Sequence, residues 1–200
     1  MTDMLTVEAA RTAVLERIHA LGDEQVPLAD ALDRHLANDV AAIADNPPHD
    51  NSAMDGYAVR FADTATASGS TPIRLQVIED IPAGTVPQRK VSTGQASRIM
   101  TGAPVPEGAD TVIRVEDTRS EDDWVEILEP EDGVGENIRG QGDDMKSGEV
   151  LLRAGDLVGP GEIGVLATAQ HANLTVTRRP TIAILSSGDE LVEVGEPLGP

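Results

Sequence analysis

The stretch PPHDNSAMDGYAVRF, residues 47–61, separates two kinds of sequence pattern. Its two prolines end any preceding helix, and a turn rich in Asp and Asn then leads into alternating apolar and polar residues. Four similar runs follow between turns rich in glycine and proline: IRLQVI (73–78), ASRIM (96–100), TVIRV (111–115) and WVEIL (124–128). Short alternating runs with such turns are typical of antiparallel β-structure. We therefore predict an antiparallel β domain over about residues 47–137.

The residues before this stretch have helical periodicity. Apolar residues at positions 7, 10, 14, 18 and 21 share one helical face. We predict a helix that is capped by Thr6 and ends at Gly22. A second short helix is predicted after Pro27, with an apolar face made of Leu28, Ala31, Leu32, His35 and Leu36. Two helices of this size cannot enclose a core, so they must pack on a later part of the chain.

The sequence after the β domain combines strand and helix signals. Residues 142–158 indicate a β unit with two turns, and residues 161–172 have helical spacing after Pro160. The run TIAIL, residues 181–185, is apolar throughout, as is typical of a parallel strand buried on both faces. Because such a strand needs neighbours, we expect this chain to be the first part of a longer protein in which an α/β domain begins here. On its own, the segment from Thr181 onward is expected to be irregular or docked on another chain.

The composition excludes several classes of function. The 200 residues include 35 acidic and 15 basic ones, which gives a formal net charge of −20. A nucleic-acid-binding surface and attraction to an anionic membrane both need clustered Lys and Arg, so both are disfavoured. The absence of cysteine excludes disulfides, thiolate nucleophiles and Cys-ligated metal sites. With no secretory leader pattern and no long apolar stretch, we expect a cytoplasmic protein.

Four polar loops contain the candidates for chemistry. The first, residues 50–56, includes Ser52 and Asp55. Turn residues that cap the backbone and a metal or anion site are both compatible with this loop. In the second loop, residues 101–110, the glycines and prolines fit turn geometry, and Thr101 at a strand end can donate its hydroxyl hydrogen to an oxyanion.

The third loop, residues 135–144, contains glycines that let backbone N–H groups approach a ligand closely. Arg139 can bind a phosphate or a carboxylate with two parallel hydrogen bonds. The neighbouring Asp143 and Asp144 repel one another unless they are solvated or bridged by a cation. A flexible crossover between domains, with solvated acids, explains the same residues equally well.

The fourth loop, SSGDE at residues 186–190, follows the apolar run directly. Ligands of open α/β sheets bind beyond the carboxyl ends of the strands, so Ser187, Asp189 and Glu190 are candidates for a site there. Carboxylate oxygens are ligands that suit Mg²⁺. Capping of a following helix or turn by Ser187 or Asp189 is compatible with this role.

Four strings in this order, DNSAMDGYAVR, RIMTGAPVPEGADTVIRVED, GENIRGQGDDMKSGEVLL and PTIAILSSGDEL, resemble the molybdopterin molybdenumtransferases, which comprise the bacterial MoeA type and the gephyrin E domain. The resemblance covers essentially the whole chain. It implies an α+β multidomain fold, in which a discontinuous helix/strand domain (1–46 and 142–177) contains an inserted antiparallel β domain (47–141). The first strand of a molybdopterin-binding α/β domain, truncated in this chain, would follow within residues 178–200.

The resemblance also implies an enzyme of molybdenum cofactor biosynthesis. Members of the family insert molybdate into adenylylated molybdopterin with release of AMP, and they use Mg²⁺ or a similar ion. They act as homodimers and take their substrate from a molybdopterin adenylyltransferase. Because the family's later pterin-binding loops are not in this chain, we expect the chain alone to be inactive. Gephyrin uses the same architecture to bind partners, so a non-catalytic scaffold is the alternative function.

The resemblance assigns roles residue by residue. By motif, the family's active-site residues fall on Asp55, Thr101, Asp144 and Glu190, and the three carboxylates would hold Mg²⁺ and the incoming oxyanion while Thr101 donates a hydrogen bond. The residues placed at the substrate are Ser52, Arg139, Ser187 and Asp189. The sequence departs from the family pattern at His49, Asp143 and Ser187, where an aromatic residue, Glu and Thr are usual.

Overall fold

The computed structural model of this chain describes residues 4–19, 21–188 and 190–197. These residues form three α-helices and twelve β-strands. In chain order the elements are α1 (Val7–Leu15), β1 (Asp23–Pro27), β2 (Val40–Ala41), β3 (Asn51–Ser52), β4 (Gly56–Val59), α2 (Phe61–Thr64), β5 (Ile73–Ile81), β6 (Gln95–Ile99), β7 (Thr111–Arg114), β8 (Thr118–Glu121), β9 (Trp124–Ile127), β10 (Ile138–Arg139), β11 (Val150–Leu152), α3 (Pro160–Thr168) and β12 (Asn173–Thr177).

The first helix begins where the sequence predicts and ends earlier. The Thr6 Oγ1 atom accepts a hydrogen bond from the Ala9 N–H at 3.2 Å, and this bond caps α1. The helix ends at Leu15, so the predicted end at Gly22 is wrong. No residue of α1 is buried. Its apolar face therefore gains little packing energy, and so short a helix is marginal without tertiary contacts.

The second predicted helix is wrong beyond its first turn. Only Leu28–Asp30 is helical, as a single 3₁₀ turn. His35 and Leu36 instead form antiparallel bridges with Leu157 and Val176. Pairing with these distant segments therefore outweighs the local helical spacing, because it buries Leu36 almost completely.

The segments before and after the large sheet share one hydrophobic core. β1 pairs with β12 in antiparallel register, and β2 pairs with β11. The buried residues between them are Ala31, Leu36, Val40, Val158, Leu166, Leu174 and Val176. The segments before and after the large sheet thus pack on one another. The domain boundaries at residues 46 and 142 stay a prediction.

The residues between these segments form a six-stranded sheet with the strand order β7-β4-β6-β5-β9-β8. The sheet is mixed, because β5 and β6 run parallel while the other neighbours are antiparallel. The prediction of a purely antiparallel domain is therefore wrong. A parallel pair needs a crossover far longer than a hairpin turn, and the segment 82–94 supplies it. Buried clusters cover both faces of the sheet.

Two further predicted elements are shorter in the structure than in the sequence pattern. The strand predicted at 57–61 ends at Val59, since Phe61 begins α2 and donates its N–H to Asp110 Oδ1 at 2.6 Å. The helix predicted at 161–172 covers Pro160–Thr168. Its first turn is closed by Glu162, which accepts the Gly159 N–H at 3.0 Å.

The apolar run at 181–185 forms no strand in the structure. Residues 181–188 have no regular secondary structure, and the Ile184 and Leu185 side chains are exposed. The expected first strand of an α/β domain is thus absent, and the irregular backbone expected for this segment is observed. Within 4–19, 21–188 and 190–197, the helices are all too short or too polar to cross a membrane.

Candidate functional site

Three of the four polar loops lie side by side. β3 pairs with β10, so that Ser52 lies opposite Ile138. On its other side the Ser52 N–H donates to Ala103 O at 2.9 Å, and the Gly102 N–H donates to Ser52 O at 2.8 Å. The first loop is therefore fixed between the second and the third by backbone hydrogen bonds. This arrangement brings together sequence segments that are separated by about 50 to 90 residues.

Asp55 and Thr101 form a direct pair. Asp55 precedes β4 and Thr101 closely follows β6, and since these strands are antiparallel neighbours both residues lie at the same end of the sheet. Asp55 Oδ1 accepts hydrogen bonds from the Thr101 N–H at 2.7 Å and from the Thr101 hydroxyl at 2.8 Å. These bonds, aided by the charge of Arg98, lower the pKa of Asp55. Asp55 is thus an anion at neutral pH, and the Thr101 hydroxyl hydrogen is directed at it.

A second pair forms in the third loop. Arg139 Nη2 donates to Asp144 Oδ2 at 2.5 Å, and this contact raises the pKa of Arg139. Asn46 Nδ2 donates to the same oxygen at 3.0 Å. The guanidinium that the sequence places at the substrate is therefore engaged by a neighbouring carboxylate. Asn46 was not predicted, because an Asn before two prolines carries no signal beyond that of a turn residue.

Carboxylates hold the backbone of the third loop in place. Asp45 accepts the Ser147 N–H at 2.8 Å and the Gln141 side-chain amide at 2.6 Å. Asp50 accepts the Gln141 N–H at 2.8 Å, and Asp143 accepts the Gly140 N–H at 2.6 Å. Asp143 therefore caps its own turn, which explains how it tolerates the adjacent negative charge.

We predict that Asp45→Asn lowers the free energy of unfolding at neutral pH and loses this effect in acid. The hydrogen bonds from Ser147 and Gln141 lower the pKa of Asp45 below its ordinary value of 3.8. A lowered folded-state pKa stabilises the fold above the unfolded-state pKa, and this stabilisation disappears as the pH falls through the folded-state value. Urea unfolding of both proteins, from about pH 7 to below about pH 3, measures the difference. A difference that stays constant or grows in acid would contradict the prediction.

Ser52 is turned into its own loop. The residue is buried, and its hydroxyl donates to Met54 O at 2.6 Å and accepts the Met54 N–H at 3.3 Å. These bonds close a tight turn that sets the direction of the chain toward Asp55. In this structure Ser52 shapes the loop, and its predicted contact with substrate stays a prediction.

The fourth loop is not joined to the other three by hydrogen bonds among the described residues. Ser187 and Glu190 are exposed, and Asp189 lies outside the described residues. The Leu191 N–H donates to Gly188 O at 3.2 Å, so the bonding of this segment is local. In the described part of the chain, no group of three or more His, Asp or Glu side chains is placed to hold a metal ion. Asp55, Asp144 and Glu190 therefore do not form one cluster here.

Comparisons with known proteins point to one family. Residues 5–169 match the protein family described as "MoeA N-terminal region (domain I and II)". A molybdopterin molybdenumtransferase from Bacillus subtilis is 43% identical over 180 residues, which cover 88% of this chain and 42% of that protein. Molybdopterin molybdenumtransferase 2 from Mycobacterium tuberculosis is 40% identical over 197 residues, which cover 98% of this chain and 48% of that protein.

The structural comparison agrees with the sequence comparison. The crystal structure of a molybdopterin biosynthesis MoeA protein from Pyrococcus horikoshii superposes with a TM-score of 0.82 at 34% identity, and the match covers 99% of this chain and 50% of that one. The chain spans about half the length of the relatives it matches. From the family match, the identities and the shared fold, we conclude that this chain belongs to the MoeA family and corresponds to its N-terminal region.

Proposed function

We propose that this chain acts as the N-terminal half of a molybdopterin molybdenumtransferase, which inserts molybdate into adenylylated molybdopterin and releases AMP. The observation that supports this most directly is the ionised Asp55 held by Thr101 at the end of the six-stranded sheet, in a chain 43% identical to a protein of that name. The Arg139–Asp144 pair in the adjacent loop supplies a second charged group. We further propose a homodimer in the cytoplasm that receives its substrate from a molybdopterin adenylyltransferase.

The chemistry of these side chains suits the handling of an anionic substrate. A carboxylate with a lowered pKa accepts a proton poorly, so Asp55 acts as a fixed charge that orients donors and cations around the reacting oxyanion. The Thr101 N–H and hydroxyl fix the orientation of that carboxylate, and its Oδ2 oxygen receives no hydrogen bond from the described residues. Asp55 Oδ2 and Asp144 Oδ1 are therefore the oxygens that remain for a ligand.

The described residues do not form a complete magnesium site. Oxygen ligands of the right kind are present in Asp55 and Asp144, but Mg²⁺ requires near-octahedral coordination, and the described residues offer no cluster of three carboxylates. The proposed dependence on Mg²⁺ thus needs ligands from beyond these loops. We propose accordingly that the 200 residues alone are inactive.

We predict that calorimetric titration of this chain with Mg²⁺ and adenylylated molybdopterin shows no tight binding. Two carboxylates on separate loops leave most coordination positions to water, so the affinity for Mg²⁺ should stay in the millimolar range or weaker, which is below about 4 kcal/mol of binding free energy. A complete relative, such as the Bacillus subtilis protein, serves as the positive control. Stoichiometric binding by the 200 residues would show that they hold the site unaided.

The experiment that tests the proposed function is reconstitution of the reaction. The complete transferase that contains this chain is incubated with molybdate and adenylylated molybdopterin, and both AMP and the molybdenum cofactor are measured. Formation of both in equal amounts supports the proposal. Release of AMP without cofactor, or no release at all, contradicts it.

A further inference from the structure

The proposed substrates carry several negative charges, yet the site formed by the first three loops is itself acidic. Molybdate and the pyrophosphate group of adenylylated molybdopterin would both approach Asp55 and Asp144 in a chain with a net charge of −20. Like charges at short distance repel one another strongly at a surface of reduced dielectric constant. A cation beside Asp55 is therefore needed to bind the anion, and the following argument rests on the proposed function.

Arg139, the cation that the sequence places at the substrate, is engaged elsewhere. Its Nη2 atom lies 2.5 Å from Asp144 Oδ2, so this guanidinium already donates a charge-assisted hydrogen bond. An anion that bound to Arg139 would have to compete with this carboxylate. A cation with unused donors is the better candidate.

Arg98 is such a cation, and the strand register places it beside Asp55. Tyr57 on β4 lies opposite Arg98 on β6, and Gly56 lies opposite Ile99. Asp55 directly precedes Gly56, the first residue of β4, and it bonds Thr101, which follows Arg98 by three residues. Arg98 and Asp55 therefore lie at the same end of the β4–β6 pair. The charge of Arg98 also helps to lower the pKa of Asp55, which is consistent with this closeness.

The guanidinium of Arg98 is weakly occupied. Its Nη1 atom lies 3.9 Å from Asp80 Oδ2, beyond hydrogen-bond distance, and the two side chains are 49% and 61% exposed. An exposed pair of this kind contributes little energy. Among the described residues, none accepts a hydrogen bond from the Arg98 side chain. Its forked N–H groups therefore remain available, and they match the geometry of an oxyanion.

We propose that Arg98 contacts the oxyanion substrate of this site with its guanidinium N–H groups. Two sources of this oxyanion share the same chemistry: free molybdate and the pyrophosphate group of adenylylated molybdopterin. The Arg98 guanidinium binds the anion on the side of Asp55 that faces away from Thr101, and it offsets the charge of the carboxylate. Arg139 keeps its structural role with Asp144.

The first test uses NMR titration of this chain at low ionic strength. The Arg98 Nε–H and Thr101 N–H signals are followed during separate additions of sodium molybdate and sodium pyrophosphate. We expect both signals to shift in a saturable way with the anion that the site binds. In Arg98→Ala, the Thr101 shift should need at least about tenfold more anion, since the charge-assisted hydrogen bonds from the guanidinium are lost.

Arg119→Ala is the matched control for this titration. It removes the same charge from the β8 edge of the same sheet, where Arg119 pairs with Glu126 at 3.2 Å, and it should leave the titration unchanged. If both variants change the anion titration equally, Arg98 acts only through the net charge of the protein, and the proposal is overturned. Absence of any shift at Arg98 with both anions would overturn it as well.

The second test uses steady-state kinetics of the complete transferase. Arg98→Ala should raise the KM for the substrate that carries the contacted oxyanion by about tenfold or more, with kcat changed less than about threefold, because the contact contributes to binding. Arg98→Lys should fall between, since an ammonium is a point charge without the guanidinium fork. The substrate whose KM rises identifies the source of the oxyanion.

The two tests separate the failure of Arg98 from the failure of the proposed function. If the wild-type transferase makes no cofactor, the proposed function fails, while the NMR titration still decides whether Arg98 binds an oxyanion. If the wild type is active and Arg98→Ala has the same KM values as Arg119→Ala, the proposed role of Arg98 is wrong and the function stands.

Discussion

Replacing Asp55 by alanine is expected to reduce cofactor formation by the complete transferase by about 100-fold or more, a loss typical of removing an electrostatic group from a reaction centre. The substitution removes the carboxylate that orients the Thr101 N–H and hydroxyl, which lie 2.7 Å and 2.8 Å from Oδ1. The fold should survive, because Asp55 is exposed and water can replace the lost acceptor. Cofactor yield per enzyme and the thermal unfolding midpoint are the two measurements.

Two further variants complete this experiment: one that removes only the charge of Asp55 and one that removes a carboxylate elsewhere. Asp55→Asn keeps the shape and an acceptor oxygen but removes the charge, so it should lose nearly as much activity as alanine. Asp123→Ala removes an exposed carboxylate from the turn between β8 and β9 and should leave cofactor formation unchanged. Wild-type turnover of Asp55→Ala would remove Asp55 from the proposed site. A large fall of the thermal midpoint together with the loss of activity would assign Asp55 a structural role.

We expect Gly56→Ala to lower the stability of the fold strongly. A Cβ atom at Gly56 would lie 1.9 Å from Ile113 O and 2.9 Å from Ile113 C, both of which are backbone atoms of the neighbouring strand β7. The strand pair β4–β7 must separate to admit the methyl group, at a cost of about 3 kcal/mol or more. We expect the thermal midpoint to fall by roughly 6–12 °C, given about 2–4 °C per kcal/mol for a chain of this size.

Gly69→Ala is the matched control for this substitution. Gly69 is exposed and no heavy atom lies within 4 Å of the position of its added Cβ, so its midpoint should stay close to that of the wild type. A Gly56→Ala protein as stable as Gly69→Ala would show that the two strands are not held as closely as their register indicates. Because Gly56 directly follows Asp55, the tight packing also explains why a glycine must stand beside the site.

Elements with strong local patterns could be predicted from the sequence. The alternating run at 73–78 lies within a strand, and the runs at 96–100, 111–115 and 124–128 lie in strands except for their last residue. A period of two residues is a direct consequence of the pleat. The prediction of the second helix was wrong because long-range pairing, not local spacing, determines the structure there. Leu36 is placed by its bridge to Val176, and no local spacing reports a partner so far along the chain. The parallel pairing of β5 with β6 is likewise a property of the whole sheet.

The residues of the candidate site likewise differ in whether local sequence identifies them. Asp55 and Thr101 could be assigned from motifs, and the structure adds that they touch. Asn46 and Arg98 could not be found in the same way. Asn46 bonds the distant Asp144 through both its side-chain amide and its backbone carbonyl. Arg98 has the pattern of an ordinary polar residue in an alternating strand, and only the register shows that it lies opposite Tyr57. Electrostatic partners of a site depend on which strands are neighbours, and local patterns do not contain this information.

The pairing of β1 with β12 also sets an order of events during synthesis on the ribosome. The partners Asp23 and Thr177 are the first and last residues of a joint strand pair, and translation at about 5–20 residues per second separates their emergence by roughly 8–30 s. The six-stranded sheet lies wholly between them, so it can close its own hydrogen bonds first. Until Thr177 emerges, β1 has no β12 partner and its strand edge stays open to pairing with other chains.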